Sequence, residues 1–527
     1  MKNIYTRIFL ITLFSLSLFK CGGTKASVYS IKDSPIVLKQ IGRVSTGLFD
    51  ESAAEIPAYC VKTKTLFVVN AKRGVDVIDL NNPGSPKFIK TISVKRWGTG
   101  VNSVDAKKGF VVFAVEIKDK NKTNKRGKVV FLTPGGKFIK SLLVGYLPDM
   151  VKISPDGNWV LVANEGEPNK DYSFDPEGSV SIIDISNGVK NLTQSNVYEV
   201  SFRSFNSQKQ MLLSRGIRIS GPKNTTVAQD LEPEYIAISD DSRTAYVSLQ
   251  ENNAIAVIDI RGKRIRRLLP LGYKNHNRTG NEIDINDKDK KAFIRKEPVW
   301  GLYMPDSIAS YTVNGRQYII TANEGDGRDY KGYTDEKKLK KVKLSKKHFS
   351  SKFIKRAKKL KVKIIKDMGD SNKDGVYEKI YIYGSRSFSI YNSTGRQTYD
   401  SGSDFEKITA KVFPKNFNAS NDKNKIDNRS DNKGPEPEGL AIGKINGRFY
   451  AFIGLERIGG FMVYDVTNPN NAKFLTYICN RNFGAKPKTG NAGDLGPEGF
   501  LFISADKSPN KKPLLIVANE VSGTTTI

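Results

Sequence analysis

"PDSIASYTVNGRQYIITANEGDGRDY" occupies Pro305 to Tyr330. An acid follows a proline, an alternating apolar run leads to a turn at Asn314 and Gly315, and a second run ends at Glu324. The plan recurs upstream as "PDMVKISPDGNWVLVANEGEPNKDY" (Pro148 to Tyr172) and downstream as "PEGFLFISADKSPNKKPLLIVANE" (Pro497 to Glu520). Alternation over short runs is the period of a half-buried strand, and Pro-Asp-Gly or Asn-Gly between two runs is hairpin chemistry.

Other copies are "LEPEYIAISDDSRTAYVSLQENNAIAVIDI" (Leu231 to Ile260) and "PEPEGLAIGKINGRFYAFIGLERIGGFMVYDV" (Pro435 to Val466). Looser ones begin at Ala54 ("AEIPAYCVKTKTLFVVNAKRGVDVIDL") and Val101 ("VNSVDAKKGFVVFAVEIKDK"). Most carry a third strand, and a fourth follows in some. Strand-rich units of about forty residues at this repeat read as propeller blades. The expected fold is therefore all-β: a β-propeller of about seven four-stranded blades, one domain over 41–527. Basic and polar insertions are expected at about 206–227, 331–366 and 416–433. The second is lysine-rich and partly helical; the third, rich in Asn, Asp and Lys, is expected to be a mobile loop.

In a propeller the innermost strand of each blade lines the central channel. A residue fixed at its start is therefore repeated around the axis. That position is read as Glu55, Asp105, Asp149, Glu234, Asp306, Glu438 and Glu498, and a second acid ends the next strand at Glu116, Glu165, Glu324, Glu456 and Glu520. Two readings stand open. Converging carboxylates repel unless protons or cations neutralise them, and hard divalent cations such as calcium suit oxygen ligands. Alternatively, each acid accepts backbone N–H groups of the neighbouring blade and locks the ring. A separate calcium signal is "DSNKDGVYE", where Asp370, Asn372, Asp374 and Glu378 surround Gly375 as in the first half of an EF-hand loop; an Asx-rich turn is the alternative.

The net charge is +31, from 85 basic against 54 acidic residues. This favours an anionic polysaccharide, lipid or phosphate ligand, or simply a solvated basic surface. Nucleic acid is not expected, because the basic insertion has few interleaved aromatics. With His276 and His348 as the only histidines, a His-ligated zinc or iron centre is effectively excluded.

At the N-terminus, Lys2 and Arg7 precede an apolar run from Ile8 to Phe19 that is too short to span a bilayer. Residues 1–20 read as a signal peptide and 21–40 as anchor and linker. Cys21 resembles the lipidated cysteine of bacterial lipoproteins, which implies an extracytoplasmic, membrane-anchored protein; plain secretion is the alternative. Cys60 and Cys479 are too few for a disulfide framework. Ring closure could bring them together, or each could be a buried thiol.

The stretches "LPDMVKISPDGNWVLVANEGEP", "LEPEYIAIS", "WGLYMPDSIASY", "GDSNKDGVYEKIYIYGSRSFSIYN" and "GPEPEGLAIG" together resemble the choice-of-anchor I domain. That family includes mesenchyme-specific cell-surface glycoproteins and bacterial proteins described as atypical alkaline phosphatases. The resemblance implies a β-propeller outside the cytoplasm with a link to calcium or phosphate. Two functions follow as expectations: a surface propeller binding calcium and anionic partners, or a metal-dependent phosphomonoesterase.

Overall fold

The computed structural model describes residues 14–19 and 26–527. Cys21 and most of the leader segment lie outside them. Seven antiparallel blade sheets, six of them four-stranded and that of blade 6 six-stranded, follow one another along the described chain: blade 1 (57–92), blade 2 (100–146), blade 3 (148–201), blade 4 (233–270), blade 5 (308–400), blade 6 (437–479) and blade 7 (497–526, closed by a strand from 43–45). The innermost strands adjoin in order, and that of blade 7 meets that of blade 1, so the sheets close into a ring.

The second strands are buried on both faces, and each face serves a different core. In Trp159–Asn164, Val160 and Val162 pack into the wedge between blades 2 and 3, while Leu161 and Ala163 pack between blades 3 and 4. Strand period two thus divides one apolar run between two neighbours. Every junction of the ring has such a core, the one between blades 7 and 1 joining Ile516 and Ala518 to Leu66 and Val68.

Blade 7 supplies only three strands of its own. The fourth is Arg43–Ser45, paired with Thr524–Thr526 as Arg43↔Thr526, Val44↔Thr525 and Ser45↔Thr524. Asp494 braces this join, accepting from Arg43 Nε (2.8 Å) and from the hydroxyls of Thr524 (2.8 Å) and Thr526 (2.5 Å). Blade 6 is widened outward by Ala26–Ile31, and Phe14–Phe19 pairs with that strand in turn.

Cys60 and Cys479 are both buried and free. Cys60 lies in the wedge between blades 1 and 2, and Cys479 in the wedge between blades 5 and 6. Closure joins blade 7 to blade 1, which leaves the two thiols in separate cores and removes the possible pairing.

The insertions are packed structures. In the first, Leu212, Ile217 and Ile219 join the core between blades 3 and 4. The lysine-rich one contains the helix Ser351–Ala357, whose Phe353 and Ala357 meet Ile283, Val299 and Ile364 in a satellite core outside the ring. The segment 416–433, expected to be a mobile loop, instead buries Phe417, Asn418, Asp427 and Ser430. Its Asn and Asp side chains bond internally, as when Asn418 Nδ2 donates to Ser430 Oγ (3.0 Å) and Ser430 Oγ donates to Asp427 (3.0 Å). No described helix is long and apolar enough to cross a membrane.

Candidate functional site

Inner strands begin at one mouth of the channel, and second strands end there. The links from second to third strand and from blade to blade therefore open on that mouth. All the long segments (165–178, 202–232, 271–307, 324–386, 401–436 and 480–496) belong to these two kinds of link. The opposite face carries shorter turns.

A β-bulge opens several inner strands at this mouth. In blade 3, Pro148 faces Asn164 and Met150 faces Ala163, leaving Asp149 as the extra residue. In blade 7, Pro497 faces Asn519 and Gly499 faces Ala518, leaving Glu498 extra. In blade 2, Val101 faces Val115 and Ser103 faces Ala114, so the equivalent residue is Asn102. This corrects the placing of Asp105, which lies three positions further along. Asp105 Oδ2 accepts the backbone N–H of Ile153 (2.8 Å), fastening blade 2 to blade 3. Of the seven acids read as equivalent, it is the one with a demonstrated interblade lock.

Glu55, Asn102, Asp149, Asp306 and Glu498 line a single cavity of about 190 Å³, together with Ser103, Tyr235 and Ser307. Oxygens of Glu55, Glu498 and Glu520 lie within 4.8 Å of one another, as do oxygens of Asp306, Glu324 and Glu438. Glu234 and Glu438 complete the inner ring. Glu165 stands behind Asp149, at the end of the strand paired with it. The second-position acid is absent from blades 1 and 4, where Ala71 and Gln250 follow the second strand.

Glu234 is 8% exposed and its Oε2 has no hydrogen-bond donor; Glu438 Oε2 and Glu498 Oε2 are likewise buried without one. Burial, then Glu520, push Glu55 up to about 8. Burial, then Glu167, raise Asp149 to about 6. Burial reinforced by neighbouring acids lifts Glu165, Glu234, Asp306, Glu438 and Glu498 well above the usual carboxylate range. The cause is common to all: carboxylates removed from water, with other carboxylates close by.

Sequence reasoning missed the counter-charges. Lys433 Nζ lies 2.5 Å from Glu324, 3.6 Å from Asp326 and 3.7 Å from Glu436. Arg457 pairs with Glu436 (2.6 Å) and Glu456 (2.8 Å), and Arg429 also binds Glu436. Burial opposes ionisation of Glu436, yet Lys433, Arg429 and Arg457 hold it well below the ordinary range. Glu116 pairs with Lys118 (2.7 Å). By contrast, Glu55, Asp149, Glu165, Glu234, Asp306, Glu438 and Glu498 have no ion-pair partner among the described residues. Lys433 lies in the Asn/Asp/Lys insertion, and no repeat marked it. Glu436 stands two residues before Glu438 in "PEPEG", which is the one visible signal.

The loop Asp370–Glu378 also brings Asp370, Asp374 and Glu378 within 4.8 Å. Its oxygens already accept local donors: Asp370 those of Asp374 N–H (3.1 Å) and Gly375 N–H (2.9 Å), and Glu378 that of Ser371 N–H (2.9 Å). Asn372 Nδ2 donates to Asp374 (3.1 Å). Gly375 has φ 82°, the conformation glycine favours. The arrangement is an Asx-turned loop with its carboxylates gathered at the surface. The cluster Asp284, Asp289 and Asp427 is likewise engaged with backbone, Asp284 accepting Phe293 N–H (2.6 Å) and Asp427 accepting Lys291 N–H (2.7 Å).

A second concavity, about 420 Å³, lies in the insertions and is lined by Arg295, Lys296, His348, Lys352 and Arg356 around Phe349 and Phe353. Buried Glu297 fixes both guanidinium groups, that of Arg295 at 2.7 Å.

Curated relatives are partial. The chain is 34% identical to gigasin-3a of Magallana gigas over 170 residues, which cover 29% of this chain and 59% of that protein. It is 27% identical to mesenchyme-specific cell surface glycoprotein of Strongylocentrotus purpuratus over 321 residues, covering 52% and 41% respectively. The chain thus spans about half the length of the curated relatives it matches. Among solved structures, Kuenenia stuttgartiensis hydrazine synthase aligns with a TM-score of 0.46 at 13% identity, over 93% of this chain and 99% of that one. The Cps50 (Swd1) β-propeller domain of Myceliophteria thermophila aligns with a TM-score of 0.40 at 8% identity, over 92% and 98%. The profile of the choice-of-anchor I domain matches residues 55–469, most of the ring with its acidic mouth, and the chain belongs to that family.

Proposed function

We propose that this propeller binds calcium, or a similar hard divalent cation, at the acidic mouth of its channel. The carrying observation is the buried, donorless oxygen of Glu498 on a cavity shared with Glu55, Asp149 and Asp306. A carboxyl oxygen hidden from water without a donor costs free energy, and a cation with oxygen ligands relieves it. Calcium should therefore raise the melting temperature of the full chain relative to chelator. A ligand bound only by the native state adds about 2.7 kcal/mol at a hundredfold excess over Kd. Superimposable melts in calcium and chelator would refute the reading. The same preparations, assayed with a chromogenic phosphate ester, test the phosphomonoesterase alternative: calcium-dependent hydrolysis would favour it.

The relative's cell-surface name and the resemblance of Cys21 to a lipidated cysteine support an extracellular, membrane-anchored setting. Labelled palmitate should enter the wild type and not Cys21→Ser; equal incorporation would exclude this anchor. The basic pocket around Lys296 and Lys352 is the place where an anionic polysaccharide, lipid or phosphate would dock.

A further inference from the structure

Oxygens of Glu324, Glu436 and Glu456 all lie within 4.8 Å of one another, and all three residues are buried. Glu456 is 4% exposed, and its Oε2 has no hydrogen-bond donor. Its Oε1 receives Asn421 Nδ2 (3.1 Å) and Arg457 (2.8 Å). Into this cluster the segment 416–433 delivers one ammonium. Lys433 is 8% exposed, and its Nζ faces oxygens of Glu324, Asp326 and Glu436.

We infer that Lys433 is a built-in cation that fills one seat of the carboxylate mouth and so limits how many divalent ions it accepts. This rests on the calcium reading above and deepens it.

The geometry supports it from both sides. Glu324 belongs to two acid clusters, one with Asp306 and Glu438 and one with Glu436 and Glu456. Both its oxygens are engaged, Oε1 by Lys433 (2.5 Å) and Oε2 by Gln250 Nε2 (3.0 Å). While Lys433 is in place, neither cluster has Glu324 as a free ligand. Across the cavity, Glu55, Glu498 and Glu520 have no ion pair among the described residues: Arg457 acts on Glu520 only through space, and the neutral Ser52 Oγ donates to Glu520 (3.1 Å). The mouth is thus asymmetric: one side is neutralised by the chain, and the other is left to solution. An ammonium on a lysine stem and a divalent ion compete for the same oxygens, because both answer the same unfavourable negative potential.

The test is calcium titration calorimetry on the full chain, comparing wild type with Lys433→Met and Lys433→Arg. Lys433→Met should bind one more equivalent of calcium than wild type, while Lys433→Arg, which keeps the charge, should retain wild-type stoichiometry. Equal stoichiometry and affinity in wild type and Lys433→Met would overturn the inference and leave the calcium reading standing. An ion bound by Lys433→Met but not by wild type would uphold the inference and overturn that reading. Binding by neither would overturn both. If Lys433→Met unfolds in chelator, circular dichroism decides between the outcomes: recovery in calcium supports the inference, and an unfolded chain in both conditions refutes it.

Discussion

At the residue scale, the inner acids divide by what surrounds them. Asp105 meets a backbone N–H of the next blade; Glu498 has a buried oxygen that meets none. Asp105→Asn should cost the apo protein about 1.5–3 kcal/mol, the usual worth of a hydrogen bond to a charged group, and leave calcium affinity unchanged. Glu498→Gln should do the reverse, weakening calcium about tenfold while leaving apo stability equal or higher. Denaturant melts in chelator and calorimetric titration separate the two. The same outcome for both variants would mean that their surroundings do not decide their roles. The repeat made Asp149, Glu234, Asp306, Glu438 and Glu498 legible, because each follows a proline at the head of a strand. It misplaced blade 2, whose Asn102 carries no charge to notice. Lys433 was illegible for another reason: a counter-charge need only arrive in space, and no periodicity governs the insertion that brings it.

Among the elements, the blades were readable because apolar alternation is local. The closing strand was not, because Arg43–Ser45 holds only three residues, and neither end of it is strongly buried. What fixes it is its partner, Thr524–Thr526, together with Asp494. Asp494→Ala removes acceptors for Arg43, Thr524, Thr526 and Asn480 at once. It should destabilise the chain by about 3 kcal/mol and expose the 43–45 segment to limited proteolysis first. Protection of that segment equal to wild type would contradict a clasp at this point. The insertions stand out by composition, but composition does not show their compactness. Polar side chains that satisfy one another, as Asn418, Ser430 and Asp427 do, resemble solvated loop residues when read one at a time.

For the molecule as a whole, cation binding at the acidic mouth, as proposed above, would be coupled to protons. Burial first of all pushes Glu55 up to about 8 and Asp149 up to about 6. A raised carboxylate holds its proton longer in the folded chain than in the unfolded one. Between the ordinary value near 4 and these folded values, the native state binds more protons, so its stability falls as pH rises. The chelated protein should lose stability from about pH 4 to 8, and calcium should offset that loss. Calcium affinity should rise over the same window, with protons released on binding. Calorimetry in buffers of differing ionisation enthalpy measures that release; a pH-independent affinity with no proton release would contradict it.

The clasp between Arg43–Ser45 and Thr524–Thr526 also has a consequence in time. Thr46 and its hydrogen-bond partner Gly523 are 477 positions apart. The strand that completes the circle is made long before its partner, with all seven inner strands between them in the chain. Until Leu514–Asn519 is synthesised, blade 1 has no neighbour on one side, and the apolar face of Leu66 and Val68 waits without Ile516 and Ala518. A growing chain must therefore carry an open, sticky crescent while the blades between the two strands are made. Any factor that shields that face would act on the nascent protein and have nothing to hold once the ring has shut.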